Sequence, residues 1–162
     1  MRILGIDPGY AIMGWAILEK KGSTLTAIDY GSVTTDKSMS MQDRLKLLYN
    51  SLMDIIAEYH PDEASIEELY FNSNAKTVIF VGEARGVAIL ACSNSSVPVF
   101  EYTPLQIKTS ITGNGRAEKR QVQLMVTKLL RLDSVPKPDD TADAVAAAIC
   151  HSYVGQMKKK LL

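Results

Sequence analysis

Four acidic residues stand where predicted secondary-structure elements begin or end. Asp7 and Glu67 each follow a short apolar run that predicts a strand, and Asp140 and Asp143 open a predicted helix. The spacing of three places the last two on one helix face. Each residue also has an ordinary explanation: an Asx-turn for Asp7, a surface position for Glu67, and a favourable helix dipole for the two aspartates.

Together these acids predict a metal centre, because strand ends and a helix packed over them can converge on one point. Four like charges so close would repel and raise one another's pKa values unless cations neutralised them. Carboxylate oxygens suit Mg²⁺, which is expected here, and Mn²⁺, which could replace it. Two such ions about 4 Å apart can hydrolyse a phosphodiester. Asp139 with Asp143 is a second possible helical pair.

The apolar pattern predicts the elements that would carry these acids. Three strands come first, and they are followed in turn by a helix, a strand, a helix, a strand and three helices. This order resembles the RNase H-like α/β fold, a mixed five-stranded sheet flanked by helices. The predicted strands cover residues 2–6, 12–18, 25–34, 63–67 and 97–102, and the helices residues 41–60, 75–92, a short segment from Thr103-Pro104, 117–130 and about 139–154.

Length and composition indicate one globular domain. The 162 residues are 46% hydrophobic and 22% charged, so we expect a single domain over residues 1–162 with its core at about 2–154. Lys158-Lys159-Lys160 would form a short basic tail. An apolar run of membrane-spanning length and a signal peptide are both lacking, which favours the cytoplasm. Cys92 and Cys150 are expected to be buried thiols.

The formal net charge of zero argues against a strongly basic DNA-binding domain, but the charges are unevenly distributed. The stretch from 108 to 131 holds six basic residues and one acidic residue, so one surface could be positive. A solvated helix face is the simpler interpretation of that stretch. Its basic residues are Lys108, Arg116, Lys119, Arg120, Lys128 and Arg131.

Six motifs, in order and without large gaps from Arg2 to about Val154, closely resemble the RuvC family of Holliday junction resolvases. The resemblance implies that Asp7, Glu67, Asp140 and Asp143 bind the metal, and its register favours Asp140 over Asp139. The motifs are Ile6-Asp7-Pro8-Gly9, Ile66-Glu67, Gly82-Glu83-Ala84-Arg85-Gly86-Val87-Ala88, Val99-Phe100-Glu101-Tyr102, Ala117-Glu118-Lys119-Arg120-Gln121-Val122-Gln123 and Asp140-Thr141-Ala142-Asp143-Ala144-Val145-Ala146.

The resemblance also implies roles for basic residues. Lys119 resembles the family's active-site lysine and Lys108 its other functional lysine, and a cation there would offset transition-state charge. An ordinary phosphate contact or a solvated side chain is the alternative for either lysine. Arg116 and Arg120 complete the predicted DNA-binding set.

Two aromatic residues follow the glutamate of the fourth strand. Tyr70 aligns with a family aromatic thought to stack on junction bases, and Phe71 is the next residue. A stacked base can contribute roughly 1–3 kcal/mol, so a wedge at an opened crossover is physically reasonable. We favour Tyr70 for this role, and the alternative is that one ring belongs to the core.

Family members are homodimers, and a two-fold enzyme suits a two-fold junction. Gly82 and Gly86 would let another helix approach closely, at a dimer interface or on the chain's own sheet. The resemblance implies paired symmetric nicks in four-way junction DNA, 5′-phosphate and 3′-hydroxyl ends, and cooperation with the RuvA–RuvB branch-migration complex.

Three other functions remain as alternatives. Gly5-Ile6-Asp7-Pro8-Gly9-Tyr10 also resembles the first phosphate loop of sugar kinases and actin-like ATPases, but the chain is too short for their two domains. A catalytically silent junction-binding scaffold would not need all four acids. A generic RNase H-like nuclease acting on RNA hybrids would need the same acids but not the Lys119 region or the aromatic pair.

Overall fold

The computed structural model describes residues 1–68 and 75–159, with side chains described from residue 78 onward in the second range and up to residue 155. Tyr70 and Phe71 lie outside the described residues. The elements are β1 (Arg2–Asp7), β2 (Ile12–Lys21), β3 (Thr24–Thr34), α1 (Met41–Tyr59), β4 (Glu63–Glu67), α2 (Ala75–Asn94), β5 (Val99–Tyr102), α3 (Pro104–Thr112), α4 (Lys119–Leu130) and α5 (Asp139–Lys159).

The five strands form one mixed sheet in the order β3-β2-β1-β4-β5. The first three strands are antiparallel neighbours, whereas β4 runs parallel to both β1 and β5. The predicted mixed five-stranded sheet is therefore confirmed. Because Ile6 stands beside Ile66 in the parallel pair, Asp7 and Glu67 end their strands at the same edge.

Residues alternate between two apolar layers along each strand, as the pleat requires. Leu4 and Ile6 of β1 pack with the apolar faces of α1 and α2. Ile3 points to the opposite face, where α3, α4 and the alanine-rich α5 cover the sheet. Asp7 has the same parity as Ile3, and Glu67 has the same parity as Glu63, the β4 residue paired with Ile3. Both acids consequently face the side of the sheet that α5 covers.

Two glycines bring the backbone of α5 directly onto the sheet. A Cβ at Gly5 would lie 2.1 Å from the carbonyl oxygen of Ala144, and one at Gly14 would lie 1.9 Å from that of Asp140. Cβ atoms are essentially never that close to a backbone oxygen, so only glycine permits this approach. The start of α5 is thereby fixed over β1 and β2.

The short helix α3 begins as its sequence predicts. Thr103 accepts a hydrogen bond from the backbone N–H of Gln106, whose side chain accepts one from the Thr103 N–H, and Pro104 occupies the first turn. The helix ends at Gly113, which has a φ of 73°.

Several boundaries differ from the prediction. β5 begins at Val99, because the Val97 N–H bonds to the Cys92 carbonyl in the turn that ends α2. α4 begins at Lys119, two residues late, because Glu118 forms a capping box with Gln121. The last helix continues to Lys159, so two of the three lysines assigned to a tail are helical.

The cysteine prediction is confirmed, since Cys92 and Cys150 are both buried free thiols. Among the helices of residues 1–68 and 75–159, none combines the length and apolarity that crossing a membrane would require.

We expect Gly14→Ala to lower the free energy of unfolding by about 1–3 kcal/mol, because the new methyl group must push the α5 backbone away. Gly31→Ala is the matched control, since its Cβ would meet the Trp15 ring at 3.2 Å and a side chain can move slightly. Urea unfolding followed by circular dichroism measures both variants. Equal losses of stability would contradict the close contact between β2 and α5.

Candidate active site

The sheet register and the Gly14 contact bring the four predicted acids to one edge. Asp7 is paired with Gly14 across the β1–β2 ladder, and Gly14 touches the backbone of Asp140 in the first turn of α5. Asp143 follows one turn later on the same helix. Glu67 ends the strand parallel to β1. The convergence predicted from sequence is thus what the fold produces.

Electrostatic coupling shows how tightly these acids are grouped. The pKa of Asp7 is raised to about 8, first by burial and then by the negative charges of Asp143, Glu67 and Asp140, with Lys119 opposing the rise. Burial is the main cause, so the carboxyl group has lost most of its water. Without a neutralising cation, Asp7 is therefore protonated at neutral pH.

The pKa values of Glu67 and Asp143 are raised as well. Burial raises the pKa of Glu67, Asp143 adds to the rise, and Lys108 and Lys119 oppose it. Burial also raises the pKa of Asp143, which the hydrogen bond from Lys119 lowers in part. The two lysines that the resemblance singles out therefore act directly on the acids.

Lys119 is the first residue of α4, and its ammonium group lies within the site. Its Nζ donates a hydrogen bond to Asp143 Oδ2 at 2.8 Å and lies 3.5 Å from Asp139 Oδ2. Burial lowers the pKa of Lys119, but the contacts with these two aspartates outweigh it and the pKa is raised overall. Lys119 thus stays charged beside the acids.

Asp139 and Asp140 differ in their surroundings. Asp139 accepts a hydrogen bond from Gln123 Nε2 at 3.0 Å and lies 3.5 Å from Lys137 Nζ. The Gln123 bond and then the charge of Lys119 lower its pKa, opposite to the shift at Asp7. Asp140 acts on Asp7 and Asp139 does not, which supports the assignment of Asp140 to the acidic cluster.

A cavity of about 240 Å³ opens beside the acids where β4, α3, α4 and α5 meet. Lys108 and Lys119 both line it, so a phosphate entering there would meet two cations next to the carboxylates. Arg116 and Arg120 are exposed around the start of α4, outside this cavity. The lining residues are Glu67, Pro104, Ile107, Lys108, Lys119, Val122, Asp143 and Ala146.

The chemistry of the donor groups fits a divalent cation. Four carboxylates supply hard oxygen ligands, and their mutual repulsion is the condition that a bound cation relieves. Within residues 1–68 and 75–159, no group of three or more Asp, Glu, His or Cys side chains is already arranged to hold a metal ion. Asp143 is instead bonded to Lys119.

Sequence reasoning missed the residues that hold the turn after Asp7. The ring of Tyr10 lies 5.0 Å from that of Phe80 on α2 and 5.0 Å below the guanidinium carbon of Arg44 on α1. Thr35 Oγ1 also donates a hydrogen bond of 2.7 Å to the Tyr10 carbonyl. The available signal was Arg44 itself, a charged residue at apolar spacing with Leu48 on α1.

Comparison with known proteins shows which family the chain belongs to. The family model for the crossover junction endodeoxyribonuclease RuvC matches residues 3–151. The chain belongs to the RuvC family. This membership confirms the family that the six motifs predicted. It also confirms the prediction that the chain is a nuclease acting on DNA phosphodiester bonds.

Individual RuvC proteins match over nearly their full length. The crossover junction endodeoxyribonuclease RuvC of Clostridioides difficile strain 630 is 54% identical over 99% of this chain and 95% of its own. That of Caldanaerobacter subterraneus subsp. tengcongensis is 53% identical, covering 99% and 98%. The Thermus thermophilus RuvC bound to a Holliday junction substrate superposes with a TM-score of 0.92 at 30% identity, covering 98% and 96%. The predicted RNase H-like fold is therefore confirmed.

We expect Asp7→Asn to raise the melting temperature of the metal-free protein at pH 8 more than at pH 5. A carboxyl group whose pKa is raised from 3.8 to about 8 supports folding below pH 4 and loses that contribution as pH rises towards 8. Asparagine does not ionise, so the variant does not lose stability in this way as the pH rises. Each kcal/mol shifts the melting temperature of a domain of this size by about 2–4 °C, which differential scanning calorimetry resolves.

Asp54→Asn is the control, because this exposed carboxylate of α1 lies outside the acidic cluster. Its effect should not grow between pH 5 and pH 8. A stabilisation by Asp7→Asn that is the same at both pH values would contradict the raised pKa of Asp7 described above.

Proposed function

We propose that this chain is a Mg²⁺-dependent endonuclease that resolves four-way DNA junctions by paired symmetric nicks, with residues 1–162 acting as one nuclease domain. The observation that carries the proposal is the partly buried cluster of Asp7, Glu67, Asp140 and Asp143, in which the pKa of Asp7 is raised to about 8. Such a cluster ionises fully only with a cation. Membership of the RuvC family supports the junction as the substrate.

The four acids would hold two Mg²⁺ ions, with Mn²⁺ able to replace them. Ions bound there would activate a water and stabilise the 3′ oxygen as the leaving group, so that the ends would be a 5′-phosphate and a 3′-hydroxyl. Lys119 contributes a positive charge next to Asp143, where negative charge builds up on the attacked phosphate. Lys108, on the wall of the adjacent cavity, would hold a phosphate in place.

DNA contacts beyond the acids would come from the exposed side chains around the start of α4. Arg116 and Arg120 are exposed there, next to Lys119. Their charges would bind backbone phosphates without reading sequence. Tyr70, with Phe71 as the alternative, stays our candidate for stacking on an opened base.

The first test is cleavage of a synthetic four-way junction, a matched duplex and an RNA–DNA hybrid in Mg²⁺. We expect paired symmetric nicks in the junction alone, loss of cutting with EDTA and recovery with Mn²⁺. Asp7→Asn should lower the cleavage rate at least about 100-fold, because it removes a metal ligand, while junction binding survives.

Two outcomes would overturn the proposal. Tight junction binding without cleavage in Mg²⁺ or Mn²⁺ would favour a junction-binding scaffold. Cleavage of the hybrid with no preference for the junction would favour a generic RNase H-like nuclease.

We also propose that the chain acts as a homodimer through one face of α2. Ile79 and Leu90 are 60% and 52% exposed, and a Cβ at Gly86 would meet nothing within 4 Å. These residues recur at helical spacing, opposite the buried Ala84 and its neighbours. An apolar stripe with a glycine at its centre suits close contact with a second copy, whereas Gly86 does not pack on the chain's own sheet.

Leu90→Glu should convert the dimer to a monomer in light scattering, because it buries a charge at the interface. Leu124→Glu on α4 is the matched control, since Leu124 is 55% exposed outside that face. A dimer that survives Leu90→Glu unchanged would contradict this interface.

Cooperation with the RuvA–RuvB branch-migration complex, and action in the cytoplasm where such DNA is found, complete the proposal. Both rest on membership of the RuvC family. Co-sedimentation of the protein with a junction preloaded with RuvA and RuvB would test the first, and co-sedimentation no greater than with the junction alone would count against it.

A further inference from the structure

Asp139 connects the catalytic lysine to the framework around the site. Its Oδ2 lies 3.5 Å from Lys119 Nζ, while its Oδ1 accepts a 3.0 Å hydrogen bond from Gln123 Nε2 and lies 3.5 Å from Lys137 Nζ. Gln123 of α4 and Lys137, which precedes α5, therefore hold one carboxylate oxygen of Asp139. The other oxygen faces Lys119. Lys119 and Gln123 are four residues apart on α4, so both face Asp139 from one side of that helix.

Asp143, the other partner of Lys119, cannot hold the lysine throughout the reaction. The lysine's ammonium group bonds to Asp143 at 2.8 Å. Under the proposed function, Asp143 binds a divalent cation, which takes up carboxylate oxygens and repels the ammonium group. A lysine with four rotatable bonds and 52% side-chain exposure would then turn towards solvent unless a second anion retained it.

We propose that Asp139 is a positioning residue that keeps Lys119 over the active site after metal has bound to Asp143. This rests on the proposed function, because it assigns Asp143 to the metal. Asp139 suits the role because its own contacts, Gln123 and Lys137, are separate from the acids around Asp7. It can therefore stay in place while those acids bind metal.

The first experiment measures single-turnover cleavage of the four-way junction in Mg²⁺. We expect Asp139→Asn to slow cleavage roughly tenfold, less than the about 100–1,000-fold typical when a directly stabilising group is removed. In a Lys119→Ala background, Asp139→Asn should have no further effect, since the residue acts through the lysine. Asp133→Asn, the same substitution at an exposed aspartate outside the site, is the matched control and should cleave normally.

The second experiment follows Lys119 itself by measuring the NMR order parameter of its Cε. With Mg²⁺, Lys119 should stay ordered in the native protein and become mobile in Asp139→Asn. Without Mg²⁺, it should be ordered in both proteins, because Asp143 holds it. This readout requires no cleavage, so it tests the inference even if the native protein fails to cut junctions.

Three results would overturn the inference. If the cleavage rate of the double variant fell by the product of the two single effects, Asp139 would act independently of the lysine. A weaker Mg²⁺ affinity in Asp139→Asn by titration calorimetry would make Asp139 a metal ligand. An ordered Lys119 in Asp139→Asn with Mg²⁺ would mean that another group retains it.

Discussion

The direct contact between the α5 backbone and the sheet is the constraint on which the site depends. Helices usually rest on a sheet through a layer of side chains, which keeps the two backbones apart. Gly5 and Gly14 remove that layer at the start of α5, and the small side chains of Ala144 and Ala148 keep the helix close. Short aspartate side chains on α5 can then meet Asp7, which a helix at ordinary spacing would leave out of reach.

A second contact fixes the rotation of α5 about its axis. His151, fully buried two turns beyond Asp143, shares hydrogen bonds of 2.7 Å with Tyr102 Oη and with Glu63 Oε2. These partners lie on β5 and β4, so the helix is held by directional bonds as well as by close packing. A helix held at both places presents a constant face, and the acids of its first turns stay directed at the end of β1.

Much of this arrangement could be predicted from sequence, because it follows from local patterns. Apolar alternation and helical spacing identify the elements, and acids at strand ends identify the edge where they meet. The role of Gly14 could not be predicted, since a glycine inside a strand does not reveal which element approaches it. The contact between Asp139 and Lys119 joins residues 20 positions apart through side-chain geometry, and the motif alone suggested only a rival metal ligand.

The acidic cluster lowers stability in order to bind metal. Raising the pKa of Asp7 from 3.8 to about 8 corresponds to a cost on the order of 5 kcal/mol for holding it ionised in the folded chain. Whole domains are stable by only about 5–15 kcal/mol. Packing of the apolar core must therefore supply enough stabilisation to offset this cost. Lys119 offsets part of the repulsion through Asp143, which also means that metal and lysine compete for one carboxylate. Asp139, held by Gln123 and Lys137 rather than by the metal ligands, gives the lysine a second carboxylate and so relieves that competition.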